Sequence, residues 1–152
     1  MAVFKTSQGQ SVDHFHIGDT DFHDQDLDAH GISESRAIVA GFASAVEIDV
    51  PTLRFNCHGF AYTRAHGWFN RAKPFIDDDV TEIPFAQARP GDIVSYRRNK
   101  KLKHSGIVEQ VSNGIITKVR SKWGGMATVI HDLHDVHPAY GRPEILRRPN
   151  GT

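Results

Sequence analysis

One tight-turn sequence between two β-favouring runs constrains the fold of this chain more than any other feature. Residues 106–111 and 115–119 are rich in valine and isoleucine, and Ser112-Asn113-Gly114 lies between them. Asn-Gly favours a two-residue hairpin turn, because both residues tolerate the positive φ that such a turn needs. The sequence therefore predicts two adjacent antiparallel strands in the second half of the chain.

Helical spacing of apolar residues dominates the first half of the chain, after a polar and irregular N-terminal segment at 1–32. A first helix is predicted behind a cap at Ser33, ending before Pro51. A second helix is predicted at 57–69, behind a cap at Asn56. Each helix carries one apolar stripe, which we expect to enter the core.

The period changes to that of strands after residues 71–91. These residues hold three prolines and an acidic run at 77–79, and they are interpreted as an irregular, surface-exposed connection. Short strands are predicted at 93–96 and 127–130 in addition to the hairpin. Helices first and an antiparallel meander afterwards indicate an α+β domain.

The composition limits the class of protein. The chain of 152 residues contains 18 basic and 18 acidic side chains, one cysteine and ten histidines. This length predicts one domain spanning 1–152. The balanced charge argues against a nucleic-acid partner held by phosphate neutralisation. A single cysteine excludes an internal disulfide.

The sequence also lacks membrane and export signals. No apolar stretch reaches the length of a membrane span, and the N-terminal residues lack the apolar middle of a signal peptide. We therefore expect no membrane insertion and a product made as a soluble cytoplasmic chain. Action outside the cytoplasm would require export by a dedicated secretion system.

Cys57 is the candidate nucleophile. It opens the second predicted helix, where unpaired backbone N–H groups and the helix dipole favour a thiolate and lower the pKa of the thiol. The same N–H groups could hold an oxyanion. The alternative is a buried cysteine that acts as a small hydrophobe.

His104 is the candidate general base. It opens the strand that leads into the hairpin, and a histidine at a strand end can reach towards a helix N-terminus. A two-residue turn places Ser121 and Trp123 on the same face of the hairpin as His104. Ser121 could then orient the imidazole, and Trp123 could shield it from water. The alternative for His104 is a surface histidine, and the alternative for Trp123 is an ordinary core aromatic.

Four blocks of the sequence carry a resemblance to a known family. They read Asn56-Cys57-His58-Gly59-Phe60-Ala61, Arg89-Pro90-Gly91-Asp92-Ile93-Val94-Ser95-Tyr96, His104-Ser105-Gly106-Ile107-Val108 and Ser121-Lys122-Trp123-Gly124. In this order and spacing they resemble the cysteine, strand and histidine blocks of the NlpC-like and CHAP-type cysteine peptidases. The resemblance covers about residues 53–125. It implies an α+β, papain-like fold with N-terminal helices packed on a small antiparallel sheet.

The resemblance implies roles for particular residues. Cys57 would be the nucleophile and His104 the base. Ser121 would be the third catalytic residue, where the larger family has Asn, Asp, Glu or a second His. The backbone N–H of Cys57 and the side chain of Asn56 would form the oxyanion site. Three further side chains are expected to contact the substrate: His58, Tyr62 and Tyr96.

The reaction predicted from these roles is hydrolysis of a peptide or amide bond through a Cys57 thioester, without a cofactor. The resemblance implies a bond in peptidoglycan, cleaved by an effector toxin or a lysis enzyme, with a cognate inhibitor protein as a further partner. The alternative is a cysteine protease, deamidase or transferase that acts on a protein. From another class, the alternative is a noncatalytic metal- or ligand-binding module.

Two histidine-rich segments suggest a metal site without completing a motif. They comprise His14, His16 and His23 with Asp24, and His131, His134 and His137. Neither contains His-Glu-x-x-His, and Pro138 breaks any helix that would align the second set. We therefore predict solvated histidines and no metal.

The basic run at 97–103 precedes the candidate base. It could attract an anionic substrate, or it could be a solvated hairpin loop.

Overall fold

The structure is a computed structural model, and it describes residues 3–13 and 27–152. Its helices and strands follow one another in the order β1 (Val3–Lys5), β2 (Ser11–Asp13), α1 (Ala29–Ala40), β3 (Val46–Asp49), α2 (Cys57–Thr63), α3 (Lys73–Asp78), β4 (Val80–Ile83), β5 (Ile93–Arg98), β6 (Lys101–Ser112), β7 (Ile115–Lys122), β8 (Thr128–His131) and β9 (Arg142–Pro149). Two short 3-10 turns, Phe85–Gln87 and Pro138–Tyr140, precede β5 and β9. Within the described ranges, no helix is long and apolar enough to cross a membrane.

Seven of the strands form one sheet, in the order β3-β8-β7-β6-β5-β9-β4. Every pair of neighbours in this sheet is antiparallel. β1 and β2 form a separate two-stranded ladder. β6 is the central strand, and α2 packs against β6 and β7. The start of α2 is therefore held against the middle of the sheet.

The predicted fold class is wrong. We expected an α+β, papain-like domain with N-terminal helices packed on a small antiparallel sheet. The described residues instead form a seven-stranded antiparallel sheet with three helices of 12, 7 and 6 residues. The error arises because β4 and β9 lie in segments whose residue pattern does not reveal a strand, and because the apolar residues of β3 also fit the predicted first helix.

The first helix begins and ends earlier than predicted. It starts behind Asp28, whose side chain accepts a hydrogen bond from the Gly31 N–H at 2.8 Å, and it ends at Ala40. The predicted cap, Ser33, therefore lies inside the helix. Val46, predicted to extend the helix, opens β3 instead. Apolar and acidic residues alternate along β3, and this period of two also explains the apolar pattern of the segment.

The second helix has the predicted cap but fewer turns. α2 begins at Cys57 behind Asn56 and ends at Thr63 rather than at residue 69. Arg64 and Ala65 follow with φ of 56° and 68°, and this left-handed backbone ends the helix.

Two segments without predicted structure form regular elements. Residues 71–91 contain α3 and β4, and Pro74 lies in the first turn of α3, where its missing N–H costs no helical hydrogen bond. The segment 142–149 forms β9, which pairs with both β4 and β5. These pairings extend the sheet beyond the predicted meander.

The predicted hairpin is confirmed. Asn113 and Gly114 have φ of 51° and 74° at the turn between β6 and β7. Val108 pairs with Val119, as a two-residue turn requires, although the register shifts near Gln110. The two other predicted strands form as β5 and β8.

Apolar side chains form three buried clusters among the described residues. The first lies on the central strands and comprises Val94, Tyr96, Val108, Ile116, Val119, Val136 and Leu146. The second joins the end of α1 to the sheet, where the Phe42 and Trp123 rings meet edge to face with centroids 4.8 Å apart. The third comprises Val12, Phe69 and Phe75. Full burial of each large apolar side chain contributes about 1.5–3 kcal/mol.

Gly59 in α2 yields a first prediction, because the backbone at Gly67 passes close to it. A Cβ on Gly59 would lie 1.8 Å from the Gly67 carbonyl oxygen. We expect Gly59→Ala to lower the free energy of unfolding in urea by about 3 kcal/mol, the upper end of the range for overpacking. The control is Gly31→Ala in α1, where an added Cβ meets only nearby side chains, Leu27 the closest at 3.0 Å. Equal losses in the two variants would contradict the close approach of α2.

Candidate functional site

Asn56 fixes the start of α2. Its Oδ1 accepts hydrogen bonds from the Gly59 N–H at 2.9 Å and the Phe69 N–H at 3.1 Å, and its Nδ2 donates to the Phe69 carbonyl at 2.6 Å. The predicted cap is therefore present. The same amide, predicted as an oxyanion donor, already commits one N–H to Phe69.

Cys57 follows as the first residue of α2, and its side chain is buried. The pKa of the thiol is raised to about 11, and burial is the largest cause of this net rise. Hydrogen bonding from the backbone N–H groups of Ser105, His58 and Cys57 itself lowers it, and the charge of Lys122 lowers it further. Desolvation outweighs these effects, so the resting thiol is protonated at neutral pH, the opposite of the direction predicted from its helix position.

Cys57 borders a cleft of about 290 Å³. The residues that line this cleft are Asn56, Cys57, His58, Trp68, Phe69, Asn70, Leu102, Lys103, Gly124 and Tyr140. Three of the predicted site residues are therefore at the cleft. Tyr62, Tyr96, His104, Ser121 and Trp123 do not line it.

His104 lies in β6 next to Ser105, whose backbone N–H is one of the groups that lower the pKa of Cys57. Its ring is completely buried, and neither ring nitrogen has a hydrogen-bond partner. The Tyr140 ring stacks on it with centroids 4.0 Å apart and planes at 6°. Burial and the neighbouring His131 and His58 hold the pKa of His104 well below its ordinary value, so the imidazole is neutral.

Ser121 bonds a histidine other than the predicted one. Its Oγ lies 2.7 Å from His131 Nε2 and accepts a hydrogen bond from Trp123 Nε1 at 3.1 Å. His131 Nδ1 lies 2.8 Å from the Asp132 carbonyl, which can only accept, so Nδ1 carries the proton and Nε2 accepts from the Ser121 hydroxyl. Ser121 therefore orients His131 rather than His104, and Trp123 orients Ser121.

The three predicted substrate contacts have different environments. His58 lines the cleft, with Nδ1 2.9 Å from Ser105 Oγ, and burial lowers its pKa to about 4. Tyr62 stacks on Phe75 in the third cluster. Tyr96 belongs to the first cluster, and its hydroxyl donates to a backbone carbonyl. Both tyrosines are thus packed among apolar side chains and away from the cleft.

Three residues near the site were not identified from the sequence. Tyr140 lies before β9, in a segment without a predicted element, so nothing indicated its contact with His104. His131 ends β8 and pairs with Val119, two positions from Ser121 on β7. This pairing of β8 with β7 is the signal that could have placed His131 beside Ser121. Lys122 is part of a block that resembles the family, but a lysine in a strand is normally interpreted as exposed.

The basic run forms the tight turn between β5 and β6. Asn99 and Lys100 occupy the turn with φ of 52° and 64°, and Arg97 pairs with Glu144 at 2.9 Å. Lys103 is exposed at the edge of the Cys57 cleft. The run therefore contributes one cation to the Cys57 cleft.

The described residues contain no group of three or more His, Cys, Asp or Glu side chains that could hold a metal ion. His131 is buried against Ser121, whereas His134 and His137 are exposed. The other histidine-rich set, His14, His16 and His23 with Asp24, lies outside the described residues.

Comparison with protein-family models, curated proteins and solved structures finds no significant match to this chain. The resemblance to NlpC-like and CHAP-type peptidases therefore stays a prediction from the sequence blocks.

Buried histidines yield a second prediction, a loss of stability in acid. Burial lowers the pKa of His58 from 6.5 to about 4, and it lowers those of His104 and His131 as well. Below pH 6.5 the unfolded chain takes up protons that the folded chain does not, so stability is full above this pH and falls below it. We expect a loss of about 1.4 kcal/mol per pH unit from His58, to which His104 and His131 add, measured by urea unfolding between about pH 6.5 and 4.

A matched pair of variants tests this source of acid sensitivity. His58→Gln can keep a hydrogen bond to Ser105 but removes the titration, so the loss per pH unit should become smaller. His134→Gln, at an exposed position, should leave the pH dependence unchanged. An unchanged pH dependence in His58→Gln would count against burial as the cause.

Proposed function

We propose that this chain is a cysteine hydrolase that cleaves a peptide or amide bond through a thioester on Cys57. The observation that carries the proposal is the setting of the Cys57 sulfur. It lies beside a cleft, and the backbone N–H groups of Ser105, His58 and Cys57 stabilise its ionised form. N–H groups fixed in this way favour the negative charge that develops during acyl transfer.

His104 supplies the base in the proposed reaction. Its imidazole is neutral, and neither ring nitrogen is engaged by another group. Because His104 and Cys57 share no hydrogen bond at rest, a side-chain rotation must first bring a ring nitrogen to the thiol. The nitrogen then takes the S–H proton, and the thiolate attacks the amide carbonyl. The amine leaves with that proton, and water hydrolyses the thioester.

The substrate that we propose is a peptide or amide bond in peptidoglycan. The cleft has an aromatic wall of Trp68, Phe69 and Tyr140, and Lys103 stands at its edge. The lining residues, all within the described ranges, include no carboxylate. Such a cleft suits a peptide that carries free carboxylates, and the sequence blocks around Cys57 and His104 support the same substrate. A protein substrate is the alternative within the same chemistry.

The proposed activity would be used outside the cell that makes the chain. As an effector toxin or lysis enzyme, the chain would reach its substrate through a dedicated secretion system or during lysis. A producing cell would then need an inhibitor protein that covers the Cys57 cleft.

A second candidate function is noncatalytic ligand binding in the same cleft. Two observations favour it: burial keeps the Cys57 thiol protonated, and His104 makes no contact with it through hydrogen bonds. In that case the cleft would hold a ligand without turnover.

A third prediction concerns activity on purified peptidoglycan, with products identified by mass spectrometry. We expect Cys57→Ala to reduce hydrolysis to the background rate, because it removes the nucleophile. His104→Ala should lower kcat/KM by about 100-fold or more, the usual contribution of a general base. His134→Ala, at an exposed position, serves as the control and should retain full activity.

Trapping the intermediate separates the two candidate functions. During turnover, a wild-type sample should show a mass adduct on Cys57 equal to the acyl fragment of the substrate. Hydrolysis that persists in Cys57→Ala would rule out the proposed nucleophile. Saturable binding of peptidoglycan fragments with neither adduct nor product would establish the ligand-binding function instead.

A further inference from the structure

His58 is held at one ring nitrogen beside the candidate nucleophile. It follows Cys57 in α2, and both residues line the same cleft. His58 is only 8% exposed, and its Nδ1 lies 2.9 Å from the Oγ of Ser105 in the central strand β6. This contact joins α2 to the sheet, so the imidazole cannot turn without breaking a buried hydrogen bond.

The direction of this hydrogen bond decides which nitrogen of His58 carries the proton. Ser105 is completely buried, and within the described ranges its hydroxyl forms one hydrogen bond, to His58. The Tyr62 hydroxyl lies near enough for Ser105 to lower its pKa, but no hydrogen bond of ordinary length joins the two. A proton on Nδ1 would leave the Ser105 hydroxyl hydrogen buried without an acceptor, which is costly. The hydroxyl therefore donates to Nδ1, and the proton of the neutral ring is on Nε2.

The Nε2–H group of His58 is open to the cleft. Among the described residues, both nitrogens of His104 are enclosed and without a partner, but His58 Nε2 is not enclosed in this way. No described residue forms a hydrogen bond with it. Because His58 lines the cleft, this N–H faces the space that a substrate would occupy.

This donor stays neutral at neutral pH, because burial lowers the pKa of His58 to about 4. A fixed neutral N–H can stabilise an oxyanion without rearranging when the charge develops. Asn56 is the residue for which the sequence predicts this role. Its Oδ1 already accepts from the backbone of Gly59 and Phe69, and one of its N–H groups donates to Phe69.

The other polar side chains of the cleft are held less firmly. Asn70 and Lys103 line it, but both are exposed, and no described residue forms a hydrogen bond with either side chain. His58 differs from them because it is buried, adjacent to Cys57 and fixed by Ser105. It is therefore the side chain best prepared to hold a carbonyl oxygen at a constant position.

We propose that His58 is a catalytic residue whose Nε2–H binds the carbonyl oxygen of the substrate, and that Ser105 is the positioning residue that keeps the proton on Nε2. The inference rests on the proposed function and deepens it by naming the oxyanion donor. When the Cys57 sulfur attacks the carbonyl carbon, the S–C bond forms and the π electrons of the C=O bond move to the oxygen. Nε2–H donates a hydrogen bond to this oxygen and keeps its proton. The C=O bond then re-forms, the C–N bond breaks, and the amine leaves with the proton taken from the thiol.

The first test reads the proton position directly and needs no substrate. Nitrogen NMR of the protein labelled with ¹⁵N-histidine distinguishes a ring nitrogen that carries a proton from one that does not, and the spectrum of His58→Gln assigns the His58 signals. We expect the neutral Nε2–H form at pH 7 in the wild type, and signals of both neutral forms in Ser105→Ala. A proton on Nδ1 of His58 in the wild type would overturn the proposal.

The second test is the rate of peptidoglycan hydrolysis. We expect His58→Leu to lower kcat by about 100- to 1,000-fold with little change in KM, the usual result of removing one oxyanion donor. His58→Gln keeps a side-chain N–H and should retain more of the wild-type kcat. Ser105→Ala should also lower kcat, whereas Ser112→Ala, at an exposed position on the same strand, is the matched control and should not.

Far-UV circular dichroism and the melting temperature establish which variants are folded. Equal kcat values in the wild type and a folded His58→Leu protein would overturn the role of His58. If His58→Leu does not fold, the comparison of His58→Gln with the wild type and the proton position in the wild type still decide the question. A wild-type kcat in folded Ser105→Ala would contradict the positioning role of Ser105.

Failure of this inference and failure of the proposed function give different results. A proton on His58 Nε2 in a protein that hydrolyses no substrate would sink the proposed function, while the state assigned to the ring stands. Hydrolysis that depends on Cys57 but is unaffected in folded His58→Leu would keep the proposed function and refute the oxyanion donor.

Discussion

The side chain of Asn56 is the contact on which the site depends. Its three hydrogen bonds, to the Gly59 N–H and to both backbone groups of Phe69, start α2 and fasten the returning chain against it. The helix that carries Cys57 and the aromatic wall of the cleft thus share one support. Each buried bond of this kind contributes about 1 kcal/mol, and loss of the amide would leave buried backbone groups unpaired at greater cost.

Desolvation sets the charge state of the titratable groups around this support. It raises the pKa of Cys57 and lowers those of His58 and His104, so the thiol and both rings are neutral at rest. The groups that retain polarity are fixed dipoles, such as the Ser105 N–H. The thiol and these rings therefore become charged only during a reaction or on binding of a ligand, and dipoles that are already oriented need no rearrangement to stabilise that charge.

Local residue patterns predicted local structure, and long-range pairing escaped them. The cap at Asn56 and the turn at Asn113-Gly114 depend on a few adjacent residues, and both are present. β9 depends on partners 45 to 69 positions earlier in the chain, which no short window contains. The register of the predicted hairpin placed Ser121 on the same face as His104. Its partner is instead His131, because this ring comes from β8, a strand outside the hairpin.

The stack of Tyr140 on His104 links occupancy of the cleft to the properties of the buried ring. Tyr140 has one face on the imidazole and also borders the cleft, whereas His104 itself has no exposed surface. In this arrangement the imidazole has no contact with solvent. Because burial holds the pKa of this histidine low, opening of the stack would raise that pKa towards its ordinary value, so the Tyr140 ring helps to keep the imidazole neutral.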